Sequence, residues 1–499
     1  MEMGGREKQI VDERIKKIEA LRAEGINPYA HRFGLDDKRV YSSDVKERFG
    51  KLKVESKSGK EVVVAGRVMV KRSFGKLSFF SLQDLRGAIQ VVVQKGEVPE
   101  DVVEMFKKID GGDIVGVRGE VVKTRTGEIS IMAQELFILT KSILPLPDKH
   151  KGLKDEEEKL RKRYLDIIMN EDVKEIFVKK QRFWNSVRTF LIDRNFLEVE
   201  TPVLENSAGG AVATPFVTHH NALDMDVYLR ISMGELWQKK LLVAGYEKTF
   251  EIGRQFRNEG MDAEHLQDYS QMEFYWGYAD FNDGMKLAEE MYKEIAMATV
   301  GSLKFKSGGH KVDLGKKWER VDFEKLIKKR TGIGIYDADE KEIMDKLDSL
   351  KVEYDKNSGK WKLVDSLWKY CRRQISGPAF LTGQPVEMAP LAKRDKSDQR
   401  KVEQFQVILA GSEMGNGYSE LNDPIDQEKR FREQRALGDD GDSDAMEHDD
   451  GFIEALKYGM PPACGFGFSE RLFWIMMDRP GKECVAFPLM RVEGKKDKK

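Results

Sequence analysis

The sequence predicts an α+β chain in which a small β-barrel precedes a large domain of mixed helices and strands. Two observations carry this. From about 61 to 140, short β-rich runs (VVVAGRVMV, LSFFSLQD, AIQVVVQ, DIVGVRGEVV, EISIMAQELFIL) follow one another between Gly, Asp and Arg turns, as in a small antiparallel barrel. After about 164, longer helical patterns alternate with strands such as FLEVETPVL, which is the pattern of an α+β domain. Five strands with one helical stretch, PEDVVEMFKKI, fit an OB-fold, and that alone leaves oligonucleotide and oligosaccharide binding equally open. Phe79 and Phe80 are adjacent, so strand alternation sends one ring into the core and the other outward. Only the outward ring can stack on a base.

The remaining elements follow in order. Residues 1–60 form a lead-in whose helix, 6–24, carries Ile10, Val11, Ile15, Ile18 and Leu21 on one stripe and stops at Gly25 and Pro28. Its dense charge is first of all a solvated face, with contact to tRNA as the sharper alternative. The barrel occupies 61–142. A Pro- and charge-rich linker spans 143–163 and enters a helix. The domain 164–499 contains a highly charged, mostly helical insertion at about 311–375. The acidic loop 438–450 and the basic tail GKKDKK read as solvated segments.

Composition narrows the classes. At roughly 150 residues per domain, 499 residues suggest about three domains. Lys and Arg number 85 against 86 Asp and Glu, a formal net charge of -1. A uniformly basic coating protein is excluded, and a local basic face is not. Cys371, Cys464 and Cys484 make neither an even framework nor a CxxC pair, which argues against a disulfide scaffold and a thiolate zinc site. No run approaches a membrane span, and MEMGGREKQI has no signal-peptide core. The expectation is a cytoplasmic protein that does not engage a membrane.

The chain has no P-loop, GxGxxG, GxSxG or HExxH pattern. Charged groups sit instead in strand-like runs: Arg254, Arg257 and Glu259 in FEIGRQFRNEG, Glu273 among the aromatics of YSQMEFYWGYAD, and Glu420 two residues after Tyr418 in NGYSELNDP. Burying a charge costs several kcal/mol unless it is paired. Internal Arg–Glu pairs would explain any one of them, whereas their recurrence favours a polar ligand pocket.

Several long motifs in order (LPLPDKHKGLKDEE with RKRYLDII, FLEVETPVL, GGAVATPFVTHHNALDMDVYLRIS, FEIGRQFRNEG and GNGYSELNDP) make the chain resemble the class II lysyl-tRNA synthetases along nearly its whole length. The resemblance implies an OB-fold anticodon-binding domain, then a catalytic domain built on an antiparallel sheet with flanking helices. It also implies a homodimer formed across the motif ending at Pro202. The implied reaction joins L-lysine and ATP into lysyl-adenylate and pyrophosphate, then passes the lysyl group to the 3′ end of tRNA(Lys). Such a reaction needs positioning and phosphate neutralisation more than a strong base.

By the same resemblance, Arg257 and Arg471 are the catalytic cations. Arg257 holds the α-phosphate and carboxylate, Glu259 the adenine amino group, and Tyr269 and Arg471 the two faces of adenine, with His265 near the triphosphate. Glu420 takes the ε-ammonium of lysine with the Tyr275 hydroxyl beside it. Glu235 and the Gly210 backbone take the α-amino group, and Glu273, Asn416 and Tyr418 complete the wall. Mg²⁺ falls to Glu413 and to Gln406, which stands where the family has a second acid. Arg67, Phe79, Gln90 and Glu128 match positions that read the anticodon.

Three further departures stand out. RISMGEL is one residue longer than the family's RIxPEL, which re-aims Glu235; HLQDY replaces HNPEF; and Ser469 occupies the last glycine of the third motif. Two rivals are a lysyl ligase with a protein acceptor, whose relatives lack the anticodon domain, and a non-catalytic tRNA-binding paralogue, which would have lost Arg257, Glu259 or Arg471.

Overall fold

The computed structural model describes residues 5–147, 153, 155–206, 213–260, 265–439 and 449–491. Gly210, most of the acidic loop 438–450 and the basic tail lie outside the described residues. By its internal contacts the chain divides into two units, Met1–Glu171 and Asp172–Lys499.

In the first unit, five strands close a barrel in the order β1-β2-β3-β5-β4. They are β1 (Ser56–Phe74), β2 (Leu77–Asp84), β3 (Gly87–Gln94), β4 (Ile114–Lys123) and β5 (Ile129–Thr140). Hairpins make the antiparallel pairs β1–β2, β2–β3 and β4–β5, and β1 pairs antiparallel with β4 across the chain. The closing pair, β3 with β5, is parallel, with Gln90 opposite Ser130, so the expected all-antiparallel barrel is corrected at its seam. The helix Glu100–Lys108 follows β3 and lets the chain cross over before β4. Alternation is strict where it matters. Phe80 is buried with Val64, Leu82, Val91, Val117 and Ile131, while Phe79 is half-exposed on the outside.

The N-terminal helix, Gly5–Ala23, buries Val11, Ile18 and Leu21, whereas Ile15 is exposed, so the apolar stripe is narrower than its spacing suggested. The Arg14 guanidinium donates to the carbonyls of Gly111, Ser142 and Leu144. The segment expected to be linker holds the helix Glu156–Arg161. Beside the end of β5, Lys141 is fully buried with its Nζ 2.7 Å from Asp110 and 2.6 Å from Asp113. Asp113 also accepts the Ser142 N–H at 2.8 Å.

The second unit is built on an eight-stranded sheet. In order across the sheet its strands are Glu319–Asp322, Ala379–Thr382, Gln404–Leu409, Ser412–Ser419, Ala463–Ser469, Asp268–Gly277, Lys248–Phe256 and Leu197–Glu198. The six central strands are antiparallel, and the outermost strand at each edge pairs in parallel. One face is dry. Helices Glu171–Ile192 and Phe281–Val300 cover it, and Phe183, Tyr292, Phe405, Phe466 and Phe468 form an aromatic core there, with Phe405 and Phe466 stacked at 5.4 Å. A Cβ on Gly415 or Gly417 would come within 2.6 Å and 2.8 Å of Phe466. The glycines of GNGYSE therefore make room for the core.

The opposite face bears the cavity described below and, toward one edge, the insertion. Helices Phe323–Thr331, Glu340–Ser349 and Lys360–Arg372 pack Phe323, Leu347, Leu363 and Leu367 onto Leu381 and Ile408 of the sheet. The stretch expected to be mostly helical from about 311 opens instead with strands. His310–Asp313 completes a hairpin, and Glu319–Asp322 joins the main sheet.

Removing one partner of a buried ion pair leaves the other charge stranded. Lys141→Ala is therefore expected to destabilise the first unit by ~3 kcal/mol or more, read as an earlier barrel transition in urea denaturation. Unchanged unfolding would rule out the ion pair as a structural support.

Candidate active site

The register of four adjacent strands arranges the exposed face of the sheet in rows. Tyr275, Gly465, Tyr418 and Gln404 form one row; Glu273, Gly467, Asn416 and Gln406 form the next; Gln271 and Ser469 follow. Tyr269 lies two residues further along its strand. From the Tyr275 row to Tyr269 is six residues, or ~20 Å of strand. A cavity of about 490 Å³ lies over these rows. Its floor is glycine. A Cβ on Gly465 would sit 2.1 Å from the Glu420 carboxylate and 2.7 Å from the Tyr275 ring, and one on Gly467 would meet Glu273 at 2.7 Å. Bare backbone at 465 and 467 is what admits the acids.

At one end lie three buried acids and one buried lysine. Helix Glu235–Val243 places Glu235 and Lys239 one turn apart. The fully buried Lys239 Nζ lies 2.7 Å from Glu235 and 2.6 Å from Glu420. Burial pulls the Lys239 ammonium down, but the two carboxylates outweigh it and raise its pKa. Tyr418 donates its hydroxyl to Glu235. Glu273 accepts from the Met233 N–H, the Gln271 amide and the Tyr275 hydroxyl at 3.0, 2.6 and 3.0 Å. The Tyr275 hydroxyl, expected beside Glu420, is thus bonded to Glu273.

Burial pushes both Glu273 and Glu420 up, to about 7 and about 8. Glu235 adds to both shifts, and Lys239 opposes that of Glu420. One lysine does not neutralise three acids, so this end favours an incoming cation.

The other end is basic. Arg257, His265, Arg471 and Arg372 all line the cavity, with Glu259, Glu413 and Tyr269 among them. Arg257 lies 5.9 Å over the Tyr269 ring, and its Nε is buried without an acceptor. Arg471 opens the helix Arg471–Met477, its N–H donating to Ser469 Oγ at 3.3 Å. The register around Ser469 keeps Arg471 on the cavity. Burial raises the Glu413 carboxyl, opposed by Arg372 and Arg471. Gln406 does not line the cavity. It sits in the sheet opposite Asn416, its Oε1 buried without a hydrogen-bond partner. Among the described residues no cluster of three or more acids, histidines or cysteines is placed to hold a metal ion.

The extra residue of RISMGEL is absorbed at Gly234, which adopts φ 66° just before the helix, where a Cβ would meet the Thr201 hydroxyl at 2.1 Å. That left-handed turn keeps Glu235 aimed into the cavity. Arg254, by contrast, is paired with Asp268 outside it. For Lys239 the sequence carried one signal, its i,i+4 spacing from Glu235. Arg372 carried none, because the insertion separates it from every other cavity motif.

On the barrel, register and alternation put Arg67, Phe79 and Gln90 on one outer face, since Arg67 pairs with Gln83, Phe79 with Val92 and Gln90 with Ser81. Gln90 accepts from Ser130 at 2.9 Å, and Glu128, just before β5, is exposed beside Lys46 at 3.2 Å.

Residues 155–491 match the family model of class II tRNA synthetases (D, K and N), and residues 62–139 match that of the OB-fold nucleic acid binding domain. The chain belongs to the class II tRNA synthetases. Among its relatives, a lysine–tRNA ligase of Halalkalibacterium halodurans is 41% identical over 484 residues, 96% of each chain. Lysine–tRNA ligases of Staphylococcus epidermidis and Staphylococcus aureus are each 40% identical, over 96% of this chain and 97% of theirs.

The raised carboxyls make stability depend on pH. A carboxyl whose pKa rises on folding favours the folded state most below its ordinary value, near 4.5, and loses that contribution up to its folded value, about 8 for Glu420. The ligand-free protein is therefore expected to lose stability between about pH 5 and pH 8, and Glu420→Gln to flatten that slope. Denaturant midpoints across the range check this; identical slopes would exclude Glu420 as the source.

Proposed function

We propose that the chain ligates L-lysine to tRNA(Lys) in two steps. A lysine carboxylate oxygen attacks the α-phosphorus of ATP. The bond to the β-phosphate oxygen breaks, and pyrophosphate leaves with the electron pair. A hydroxyl at the 3′ end of the tRNA then attacks the lysyl carbonyl, and AMP departs. The observation that carries this is the two-ended cavity, three carboxylates and one lysine facing arginines and histidine across a glycine floor.

Charge accounts for the choice of amino acid. Three carboxyls share the one ammonium of Lys239, and the two ammonium groups of L-lysine would take the place of the protons that Glu273 and Glu420 hold in the empty site. Glu420 takes the ε-ammonium alongside Lys239. Glu235 takes the α-ammonium, with Glu273, Tyr275, Asn416 and Tyr418 closing the wall; the Gly210 backbone lies outside the described residues. Aspartate or asparagine would bring one ammonium and no second cation, leaving a buried acid unpaired.

At the basic end the Arg257 fork suits the α-phosphate and the attacking carboxylate. Tyr269 and Arg471 would flank adenine, Glu259 its amino group, and His265 the phosphates. Of the two residues expected at Mg²⁺, Glu413 lines the cavity and Gln406 does not, so Glu413 would hold the ion, which when bound would supply charge shielding for the leaving pyrophosphate. Outside the cavity, Arg67, Phe79, Gln90 and Glu128 form an anticodon face in which Phe79 is the stacking ring. Exposed Leu197, Val203, Leu204 and Val217 around Pro202 suit a homodimer, for which light scattering should return twice the chain mass. Among the described residues no helix is long and apolar enough to cross a membrane; charging of tRNA(Lys) places the proposed action in the cytoplasm.

Amino-acid-dependent ATP–pyrophosphate exchange should respond to lysine alone, and a response to aspartate or asparagine instead would reject the assignment. Glu420→Gln should raise the lysine KM by about 30-fold or more, ~2 kcal/mol, with the fold retained; an unchanged KM would remove Glu420 from ammonium binding. Phe79→Ala should weaken tRNA charging by ~1–3 kcal/mol in apparent affinity while exchange stays as in the wild type.

A further inference from the structure

The insertion reaches the cavity through one residue. Helix Lys360–Arg372 seats Leu363, Leu367, Trp368 and Cys371 in a cluster with Ala379, Leu381 and Ile408 of the sheet. Ile408, Gln406 and Gln404 alternate onto the same face, so the helix ends where the cavity floor begins. Its last residue, Arg372, lines the cavity, with its side chain 17% exposed and Nη1 3.6 Å from the Glu413 carboxylate. A cation at a helix C-terminus also suits the helix dipole. Here, however, Arg330 already donates to the Cys371 carbonyl from the neighbouring helix, so the helix end has another partner.

The sheet beneath is short of negative charge. Gln406 is neutral, with its Oε1 buried without a hydrogen-bond partner, and among the described residues the acid that Arg372 pairs with is Glu413. An arginine held by one carboxylate at 3.6 Å, at the end of the cavity that also holds Arg257, Arg471 and His265, is a cation in excess of what the protein itself needs there. We propose that Arg372 is a phosphate-binding residue of the nucleotide site. Its guanidinium takes the β- and γ-phosphates of ATP, supplying charge that otherwise falls to divalent cations, while Glu413 orients it. The helical insertion thereby completes the nucleotide site. This rests on the reading of the basic end as the ATP site.

Calorimetric binding of ATP and AMP to the intact chain, with EDTA and then with Mg²⁺, tests it in wild type, Arg372→Ala, Arg372→Gln and Arg372→Lys. In EDTA, losing the charged contact should weaken ATP about tenfold or more in the Ala and Gln variants. AMP binding should stay as in wild type, which also shows that the variants are folded, and Lys should fall between. Mg²⁺ should narrow the difference. If Arg372→Ala does not fold, Arg372→Gln, which keeps length and hydrogen bonding, carries the comparison. ATP binding equal to wild type, or ATP and AMP weakened alike, would overturn the role. A wild type that binds no ATP under either condition would overturn the nucleotide reading, and this inference with it.

Discussion

The acid end of the cavity depends on one buried cation. Lys239 holds Glu235 and Glu420 on the sheet face at distances where bare carboxylates would repel each other. Without it the three acids could coexist only by taking up protons, since ionised groups so deeply buried are costly. With it Glu235 and Glu420 sit together on one ammonium, and Glu273 and Glu420 still hold protons up to about pH 7 and pH 8 in the absence of a further cation. An incoming ammonium group can take the place of those protons, which suits a buried set of acids to a cationic ligand. Lys239 thus compensates the site without occupying its whole demand.

The geometry around this pair rests on the two faces of one sheet. On the dry face, Phe405, Phe466 and Phe468 pack beneath two helices and tolerate only glycine at 415 and 417. On the wet face, Gly465 and Gly467 leave the space that Glu420, Tyr275 and Glu273 fill. The strand Ala463–Ser469 therefore alternates large aromatics inward with bare backbone outward, and its glycine richness follows from packing on one side and chemistry on the other. Because the polar groups sit on regular strands, their spacing is set by backbone hydrogen bonds, which suits a reaction that proceeds by positioning and charge neutralisation.

Residues close in sequence were the legible ones. Glu273 and Tyr275 in MEFY stand one strand repeat apart and share a face, Tyr418 and Glu420 in GYSE keep the same spacing across a strand end, and Arg257 and Glu259 in FRNEG follow directly on the strand that ends at Phe256. Phe79 and Phe80 split outward and inward by the same alternation. Partnership across strands was not legible. The Tyr275 hydroxyl bonds to Glu273 on its own strand, and Lys239 reaches Glu420, 181 residues away, because the sheet lays Ser412–Ser419 beside Ala463–Ser469 and that strand beside Asp268–Gly277, against which helix Glu235–Val243 packs. Ile15 looked apolar in the right period but faces outward, since the barrel surface covers a narrower arc of the first helix than the stripe offered.

By itself the sequence determined the two-part α+β architecture, the family and the inventory of acids and arginines, because strand period, turn residues and local motifs are properties of short segments. Only the tertiary structure decided how the charges are shared: that Lys239 neutralises part of the acid end, that Gly234 absorbs an extra residue and keeps Glu235 on target, and that the insertion brings Arg372 to Glu413. Those outcomes depend on electrostatic interactions in a poorly solvated space, between groups that meet only when distant segments pack, and such distances are not encoded in any local pattern.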